Sequence, residues 1–473
     1  MSDFSQKNSS EPGLKTLVHM QGQLTISIFI AVTIVVFSAF RGNQPDTEQH
    51  LSGPGEKEIN TVSVGAERLL DEYFDLIKNK RVGIITNHSA IAGGQHIVDL
   101  LHERDDVEVT ALFGPEHGIR GTADAGEHVA DDIDEDTGIP VFSLYGETRR
   151  PSLEMLENVD VLIFDIQDVG TRFYTYPATM GRAMRSAVEA GIPYLVLDRP
   201  NPIGGFRIEG HIRKDEFVSG IGLYPTPITH GMTVGELALM IHDQGWHEGI
   251  EDLDLHVIEM DGWNRDMLWE DTGLDWIPPS PNIPDFETAV VYPGTCFFEG
   301  TPASEGRGTY EPFLQVGSPH IDEEKAAEEL NRRADFSENG ETEEEMMTHN
   351  TRESDLGGLR FHPVIFTPES IPGMSREPKL EGELVRGVRL EVTDSDSVRP
   401  VAAGIHILQV FYDLLPEEQQ AEFFHPRGMP VRAGNKYIQQ MIRDGVPATE
   451  IIESWTEDVE RFTDLRGPYL IYD

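Results

Sequence analysis

Short apolar stretches alternate with amphipathic segments between about residues 62 and 260 of the chain. The central parts of the runs 107–113 and 160–165 are mostly apolar, which is typical of parallel strands buried on both faces. This alternation predicts a Rossmann-like parallel sheet with right-handed crossovers, an α/β fold. The predicted strands are 81–87, 107–113, 139–144, 160–165, 192–197 and 255–260, and the predicted helices are 66–77, 96–103, 153–158, 179–190 and 233–243.

The alternation stops at 276–284, where four prolines in nine residues exclude regular structure. Beyond it the pattern is mixed and predicts a smaller α+β domain. The predicted division is an N-terminal targeting segment and linker at 1–60, the sheet domain at 61–282 and the α+β domain at 283–473. In the last domain the predicted strands are 289–292, 359–367 and 387–392, and the predicted helices are 323–334, 403–415, 434–444 and 448–461.

The N-terminal segment contains an uncharged apolar run, 24–40, closed by Arg41 and followed by a polar linker. Its length is a little short of a full membrane span and fits a signal peptide or an N-terminal anchor. Phe37 and Phe40 disturb the small-residue pattern of a cleavage site, which favours a retained anchor. The folded part is therefore expected outside the cytoplasm, at the cell surface or in the periplasm, held in the inner membrane by this segment or exported.

Charge and cysteine content exclude several kinds of partner and cofactor. The chain has 83 acidic and 37 basic residues and a net charge of −46, which argues against nucleic-acid or anionic-membrane binding by the folded part. A single cysteine, Cys296, excludes an intramolecular disulfide and a Cys-rich zinc site. Since no G-x-G-x-x-G follows any predicted strand, a dinucleotide is not expected, and no cofactor is predicted.

Chemistry-bearing side chains follow the predicted strands where they end. The string 114–121 (GPEHGIRG) follows the predicted strand 107–113, the string 165–176 follows 160–165, and the string 198–202 follows 192–197. Strand ends of a parallel sheet meet at one edge, so we expect one pocket with carboxylates, guanidinium groups and aromatic rings, suited to a sugar with an acidic group. The candidate catalytic residues are Glu116, Asp165, Asp168 and Glu305, and the candidate substrate-binding residues are His117, Arg120, Gln167, Arg172, Tyr174, Tyr176, Asn201, Tyr292 and Arg307.

Several candidates also have a structural interpretation. Asp165 can cap the turn after its strand, and Asn201 sits in a proline-flanked turn. Arg172 and Arg307 can pair with carboxylates in so acidic a protein. A metal site made of His117 and His128 with Asp124 or Asp131 matches no known ligand spacing, so none is predicted.

Seven strings carry a resemblance to a known family. They are 86–89, 114–121, 164–176, 198–202, 278–284, 292–295 and 304–309, and they occur in order from about residue 81 onward. Together they resemble the NamZ family, formerly a domain of unknown function. The resemblance implies an exo-β-N-acetylmuramidase that removes N-acetylmuramic acid from the non-reducing end of peptidoglycan fragments. It also implies a Rossmann-like domain, a smaller C-terminal domain and an active site in the cleft between them, with the proposed catalytic glutamate at Glu116.

Glycoside hydrolysis usually needs two carboxyl groups beside the scissile bond. Glu116 is the expected general acid. The second role stays open between the other three candidate carboxylates and the acetamido group of the substrate, and the stereochemical outcome stays open with it. We expect the lactyl carboxylate of muramic acid to bind arginine and the sugar ring to stack on tyrosine. The residues available are Arg120, Arg172 and Arg307 for the carboxylate, and Tyr174 and Tyr176 for the ring.

Two other classes of protein fit the same sequence. One is a metal-dependent hydrolase of cell-wall material. The other is a non-catalytic, membrane-anchored protein that binds muropeptides without turning them over. The natural length of the substrate and the oligomeric state are not predicted.

Overall fold

The structure is a computed structural model that describes residues 61–115, 118–120, 132–146, 148–339 and 354–473, with side chains omitted from 336 to 339. Within these ranges no helix is both long and apolar enough to span a membrane. The predictions for the apolar run 24–40, for Glu116 and His117, and for most of the acidic insert after Arg120 lie outside the described residues.

A seven-stranded sheet forms the centre of the first half of the chain, in the order β5-β6-β4-β1-β7-β8-β9. Every neighbouring pair is parallel except β5 with β6 at one edge. The prediction of a Rossmann-like parallel sheet is thus confirmed. The strands are β1 Arg81–Thr86, β4 Glu108–Gly114, β5 Asp132–Ile133, β6 Pro140–Ser143, β7 Val161–Asp165, β8 Tyr194–Leu197 and β9 Leu255–Ile258, and a separate hairpin pairs β2 Ile91–Ala92 with β3 Gln95–His96.

Helices cover both faces of this sheet because alternate strand residues point to opposite sides. On one face α3 (Tyr176–Ala190) and α4 (Val234–Asp243) pack in one core, and on the other α1 (Gly65–Asp71) and α2 (Ile97–His102) pack in another. Thr233 caps α4: its hydroxyl accepts the Glu236 N–H at 3.2 Å. The predicted helix 153–158 is wrong, because this short stretch forms only turns before β7.

The second half contains a three-stranded antiparallel sheet in the order β10-β12-β11, with helices packed around a third core. This agrees with the predicted α+β character. All described residues pack as one compact unit, so the domain boundary near residue 282 stays a prediction. The strands are β10 Gln315–Ser318, β11 Leu359–Phe366 and β12 Val385–Val392, and the helices are α5 Phe286–Thr295, α6 Glu323–Asn339, α7 Pro400–Leu414, α8 Glu417–Gln420, α9 Gly428–Ala433, α10 Tyr437–Arg443, α11 Ala448–Glu453 and α12 Thr456–Arg466.

Two predictions in this half are wrong. The stretch 289–292 is not a strand but lies in α5, whose first turn is capped by Asp285 through the Thr288 N–H at 2.8 Å. A short, wholly buried apolar run has no period that separates a strand from a helix. The predicted helix 448–461 is two helices, α11 and α12, separated at Ser454 and Trp455.

Candidate active site

Three strand ends lie side by side at one edge of the large sheet. β1 pairs with β4 on one side and with β7 on the other, and Thr86 at the end of β1 is in register with Asp165 at the end of β7. Beyond β4 the chain turns tightly, since the Gly118 N–H donates to the Pro115 carbonyl at 3.0 Å with Gly118 at a φ of +72°. The carboxyl ends therefore place residues 86–89, 114–115 and 165–176 at a common edge.

Asp165 is fully buried and paired with the arginine that follows the next strand. Arg199 donates to its two carboxylate oxygens at 2.5 and 3.0 Å, and also donates to the Ile91 carbonyl at 3.1 Å. This bidentate pair compensates the charge of Asp165 inside the protein. The ion pair thus connects the end of β7 to the segment that follows β8.

Asp168 is buried with half of its carboxylate unpartnered. Its Oδ2 accepts the Gly170 N–H at 2.8 Å, and its Oδ1 has no hydrogen-bond partner among the described residues. Burial raises the pKa of Asp168 to about 7. Asp168 is therefore a carboxyl group that changes protonation near neutral pH and has one oxygen left to accept a hydrogen bond.

Gln167 and Asn201 support the loop that carries Asp168. The Gln167 side chain donates to the Asp168 and Pro200 carbonyls at 2.8 and 2.7 Å, and its backbone N–H donates to Ser89 Oγ at 3.1 Å. Asn201 is buried and donates to the Met232 carbonyl at 3.1 Å. A side chain at position 170 would collide with Asn201, since a Cβ there would lie 2.2 Å from Asn201 Oδ1.

Arg172 uses its guanidinium to hold the main chain. It donates to the carbonyls of His211, Thr226 and Arg432 at 2.9, 2.7 and 2.7 Å. Burial lowers the pKa of Arg172 to about 9. The structure thus places this predicted substrate-binding cation where it connects three separate segments of the chain.

Arg120 lies on the other side of β4, toward α2. It pairs with Asp99 at 3.0 Å and with Asp134 at 2.8 Å. Its hydrogen bond to Asp134, opposed by burial, contributes most to raising the pKa of the guanidinium further above its usual value. Among the described residues, the ion-pair partners of Arg120 are Asp99, Asp134 and Asp136, and neither Asp165 nor Asp168 is one of them.

Three tyrosines connect the strand ends to the second half of the chain. The Tyr176 hydroxyl, buried, donates to the Pro279 carbonyl at 2.7 Å and accepts from Asn87 at 3.0 Å. The half-buried Tyr174 ring contacts the rings of Tyr176 and of Tyr292 on α5 edge-on, with centroids 4.9 and 6.1 Å apart. Of the three tyrosines, Tyr174 is the least buried.

An ionic network, which we name the cation cluster, adjoins these tyrosines. Arg307 pairs with Glu299 at 3.0 Å and lies 3.6 Å from Glu305, and its guanidinium carbon stands 5.1 Å from the Phe313 ring centre. That ring in turn contacts Tyr292 at 4.8 Å. The cluster consists of Glu299, Glu305, Arg307, Lys379 and Arg432.

The cation cluster carries a net charge of +1, since it joins three cations to two carboxylates. Lys379 pairs with Glu305 at 2.7 Å, and Arg432 Nε donates to Glu299 at 3.0 Å. Burial opposes ionisation of Glu299, but the charges and hydrogen bonds of Arg307 and Arg432 lower its pKa to about 2. The side chains of Arg307 and Arg432 are 23% and 17% exposed, so both reach solvent.

Arg432 and Arg199 were not predicted from the sequence. Arg432 lies on α9, in a stretch that follows no strand and contains no motif. Arg199 follows a predicted strand, but the sequence does not indicate that its side chain pairs with Asp165. The described residues contain no group of three or more His, Cys, Asp or Glu that could hold a metal ion. The alternative metal site with His117 and His128 lies outside these residues.

The fold and the site define an α/β protein that gathers buried carboxyl groups, tyrosines and a cation cluster where a parallel sheet meets an α+β part. Two family models, described as the N-terminal and C-terminal parts of exo-β-N-acetylmuramidase NamZ, match residues 82–287 and 290–472. The chain belongs to the NamZ family.

Similar proteins agree with this assignment. The chain is 44% identical over 412 residues to the peptidoglycan β-N-acetylmuramidase NamZ of Bacillus subtilis strain 168, covering 87% of this chain and 91% of that protein. Crystal structures of two DUF1343 family proteins from Bacteroides fragilis NCTC 9343 match with TM-scores of 0.75 and 0.69 at 33% and 35% identity, each over 87% of this chain and 99% of the other.

Proposed function

We propose that the protein is an exo-acting glycoside hydrolase that releases N-acetylmuramic acid from the non-reducing end of peptidoglycan fragments. The observation that carries this proposal is the match to both parts of the NamZ family together with 44% identity to a peptidoglycan β-N-acetylmuramidase. The strand-end site supports it, because it combines buried carboxyl groups, an accessible tyrosine and surplus positive charge.

Glu116 is the proposed general acid. It follows β4 by two residues, and the flanking Pro115 and Gly118 form the tight turn at the common strand edge. A carboxyl group that donates its proton to the glycosidic oxygen stabilises the leaving sugar as the bond breaks. Its position in the G-P-E-H-G string that directly follows β4 supports this role.

Asp168 is the proposed second carboxyl group. Arg199 neutralises Asp165, and Lys379 and Arg307 flank Glu305, so these two carboxylates already have cationic partners. Asp168 has none within the described structure, and its free Oδ1 can accept a hydrogen bond from the attacking water or from the acetamido N–H of the substrate. In either case the ionised carboxylate favours attack on the anomeric carbon.

The cation cluster is the proposed site for the lactyl carboxylate. Arg307 and Arg432 share Glu299, and both partly exposed side chains lie near Tyr292, whose ring contacts that of Tyr174. A carboxylate bound there would complete the charge balance of the cluster. A glucosamine residue lacks this group and would leave the surplus cation unpaired, which disfavours its binding.

Arg432→Gln should therefore reduce discrimination between substrates. Wild-type protein is expected to hydrolyse a chromogenic β-N-acetylmuraminide far better than the matching glucosaminide. Losing one charged hydrogen-bonding partner should lower kcat/KM for the muraminide roughly 10- to 100-fold and leave the glucosaminide value nearly unchanged. Arg432→Lys, which keeps the charge, should retain part of the preference. An equal loss on both substrates would contradict the assignment.

We propose that the protein acts outside the cytoplasm, where peptidoglycan lies, with the uncharged run 24–40 as the anchor or export signal. Cell fractionation of the full-length protein distinguishes a retained anchor from a cleaved export signal. Recovery with membranes supports an anchor. Mature protein that is soluble and begins after residue 40 would identify a cleaved signal, and protein confined to the cytosol would contradict both.

A further inference from the structure

A serine, a histidine and an aspartate lie in series at a cavity of about 430 Å³, distinct from the strand-end site. His211 Nδ1 is 3.0 Å from Asp458 Oδ2, and His211 Nε2 is 3.1 Å from Ser454 Oγ. Ser454 is exposed, whereas His211 and Asp458 are buried. A nucleophile, a base and an orienting carboxylate in this sequence of contacts are the elements of a serine hydrolase.

The hydrogen bonds of Asp458 define which nitrogen of His211 carries the proton. Asp458 also accepts the Ile212 N–H at 3.2 Å and pairs with Arg461 at 2.6 Å. An ionised carboxylate only accepts hydrogen bonds, so Nδ1 of His211 must be the donor, and the lone pair of Nε2 faces Ser454. Burial lowers the pKa of His211, which keeps the imidazole neutral and able to take a proton at pH 7.

Two aromatic rings pack against the His211 imidazole. Tyr437 and Trp455 contact it edge-on, with ring centroids 6.0 and 6.1 Å away. Ser454 Oγ also lies 2.5 Å from the Ile451 carbonyl oxygen. The hydroxyl hydrogen can therefore be donated either to this carbonyl or to His211 Nε2. When that hydrogen points to Nε2, the hydroxyl is hydrogen-bonded to its base.

Backbone donors for a developing oxyanion lie close in the chain. α12 begins at Thr456, two residues after Ser454, and no side chain caps its first turn. The first N–H groups of a helix have no helical acceptor, and such groups stabilise the negative charge of a tetrahedral intermediate. Asp458 lies in this same first turn, so α12 carries both the carboxylate that orients His211 and these backbone N–H donors.

We propose that Ser454, His211 and Asp458 form a second hydrolytic site, which cleaves short-chain carboxylic esters of polar alcohols. The cavity is lined by polar groups such as Lys214 and Gln440 and by the side chains of Tyr437 and Met441. Its volume suits a small acyl group and an alcohol of about monosaccharide size.

The reaction proceeds in two balanced steps. Ser454 Oγ forms a bond to the ester carbonyl carbon as its proton passes to His211 Nε2, and the carbon–oxygen bond to the alcohol breaks as that proton passes to the alcohol oxygen. Water then forms a bond to the acyl carbon and gives one proton to Nε2, and the bond from that carbon to Ser454 Oγ breaks as the proton passes to Oγ, which releases the carboxylic acid. The net reaction is ester plus water to acid plus alcohol.

The test uses purified full-length protein with p-nitrophenyl acetate and, separately, a fluorophosphonate that labels activated serines. Wild type should hydrolyse the ester and gain one phosphonyl group on the peptide containing Ser454. Ser454→Ala should lose the label and at least about 100-fold of the esterase rate. Thr463→Ala is the matched control, because Thr463 is an exposed hydroxyl on α12 that donates to the Val459 carbonyl at 2.8 Å.

The Thr463 variant should keep both the label and the rate. Circular dichroism of each variant verifies folding, so a collapsed variant is not mistaken for an inactive one. Wild-type protein without a phosphonyl adduct on Ser454, or a folded Ser454→Ala protein with wild-type esterase rate, would overturn the proposal. Neither assay involves a muraminide, so the result is independent of the proposed glycosidase function.

Discussion

Replacing Glu116 by Gln should lower kcat on a muraminide with a sugar leaving group by a factor on the order of 10² to 10⁴. Gln keeps the size and neutral hydrogen-bonding character of a protonated Glu but has no acidic proton to give. Binding depends on other groups, so KM should change little. The loss should be smaller for an activated phenolate leaving group, which departs with less protonation.

Glu108→Gln is the matched control for this measurement. Glu108 is an exposed glutamate at the start of β4, the strand that precedes Glu116. Its replacement should leave both substrates at wild-type rates. An equal or larger loss on the phenolate substrate would make Glu116 the nucleophile or base, and wild-type rates on both substrates would remove it from the chemistry.

Asp168→Asn should abolish most activity and remove the lower limb of the pH profile. In wild type the base must be ionised, so kcat/KM should rise with pH through about 7, where burial places the pKa of Asp168. Asn cannot ionise, and its carbonyl can still accept the Gly170 N–H. We expect a loss on the order of 10² or more, with the remaining rate independent of pH in this range.

The same variant should become relatively more stable as pH rises. The pKa of Asp168 is raised from 3.8 to about 7 in the folded protein, so the folded state binds more protons than the unfolded state between these values. Stability from this group is full below about pH 4 and lost as pH rises through 7, by up to a few kcal/mol. The Tm of Asp168→Asn minus that of wild type should therefore increase from pH 4 to pH 8.

Asp165→Asn gives the contrasting result. Asp165 and Arg199 form a buried ion pair, and removing one charge leaves the other uncompensated, at a cost of about 3 to 5 kcal/mol. Its Tm should fall at neutral pH, whereas that of Asp168→Asn should not. If Asp168→Asn kept activity and Asp165→Asn lost it without loss of stability, the two roles would be exchanged.

The architecture could be predicted from the sequence because it depends on the local periodicity of apolar residues. Buried parallel strands read as continuous apolar runs, and the polar strings after them identified the common edge. The strand prediction for 289–292 was wrong for the same reason, because four apolar residues show no period that separates a strand from a helix. In the structure Asp285 caps a helix that contains these residues.

The pairing of side chains could not be predicted from the sequence, because tertiary packing determines the direction in which each side chain points. Nothing in the sequence shows that Arg172 donates to three main-chain carbonyls, or that Arg120 turns toward Asp99 and Asp134. Arg432 joins the cation cluster from a distant helix with no motif around it. The sequence therefore predicts the composition of the site better than the role of each arginine.

The most direct test of the central claim uses two defined disaccharides from peptidoglycan, one with N-acetylmuramic acid and the other with N-acetylglucosamine at the non-reducing end. Full-length wild-type protein is incubated with each, and the released monosaccharides are identified by mass. We predict free N-acetylmuramic acid from the first and no cleavage of the second. Cleavage of both at equal rates, or binding of the first without any release, would contradict the account.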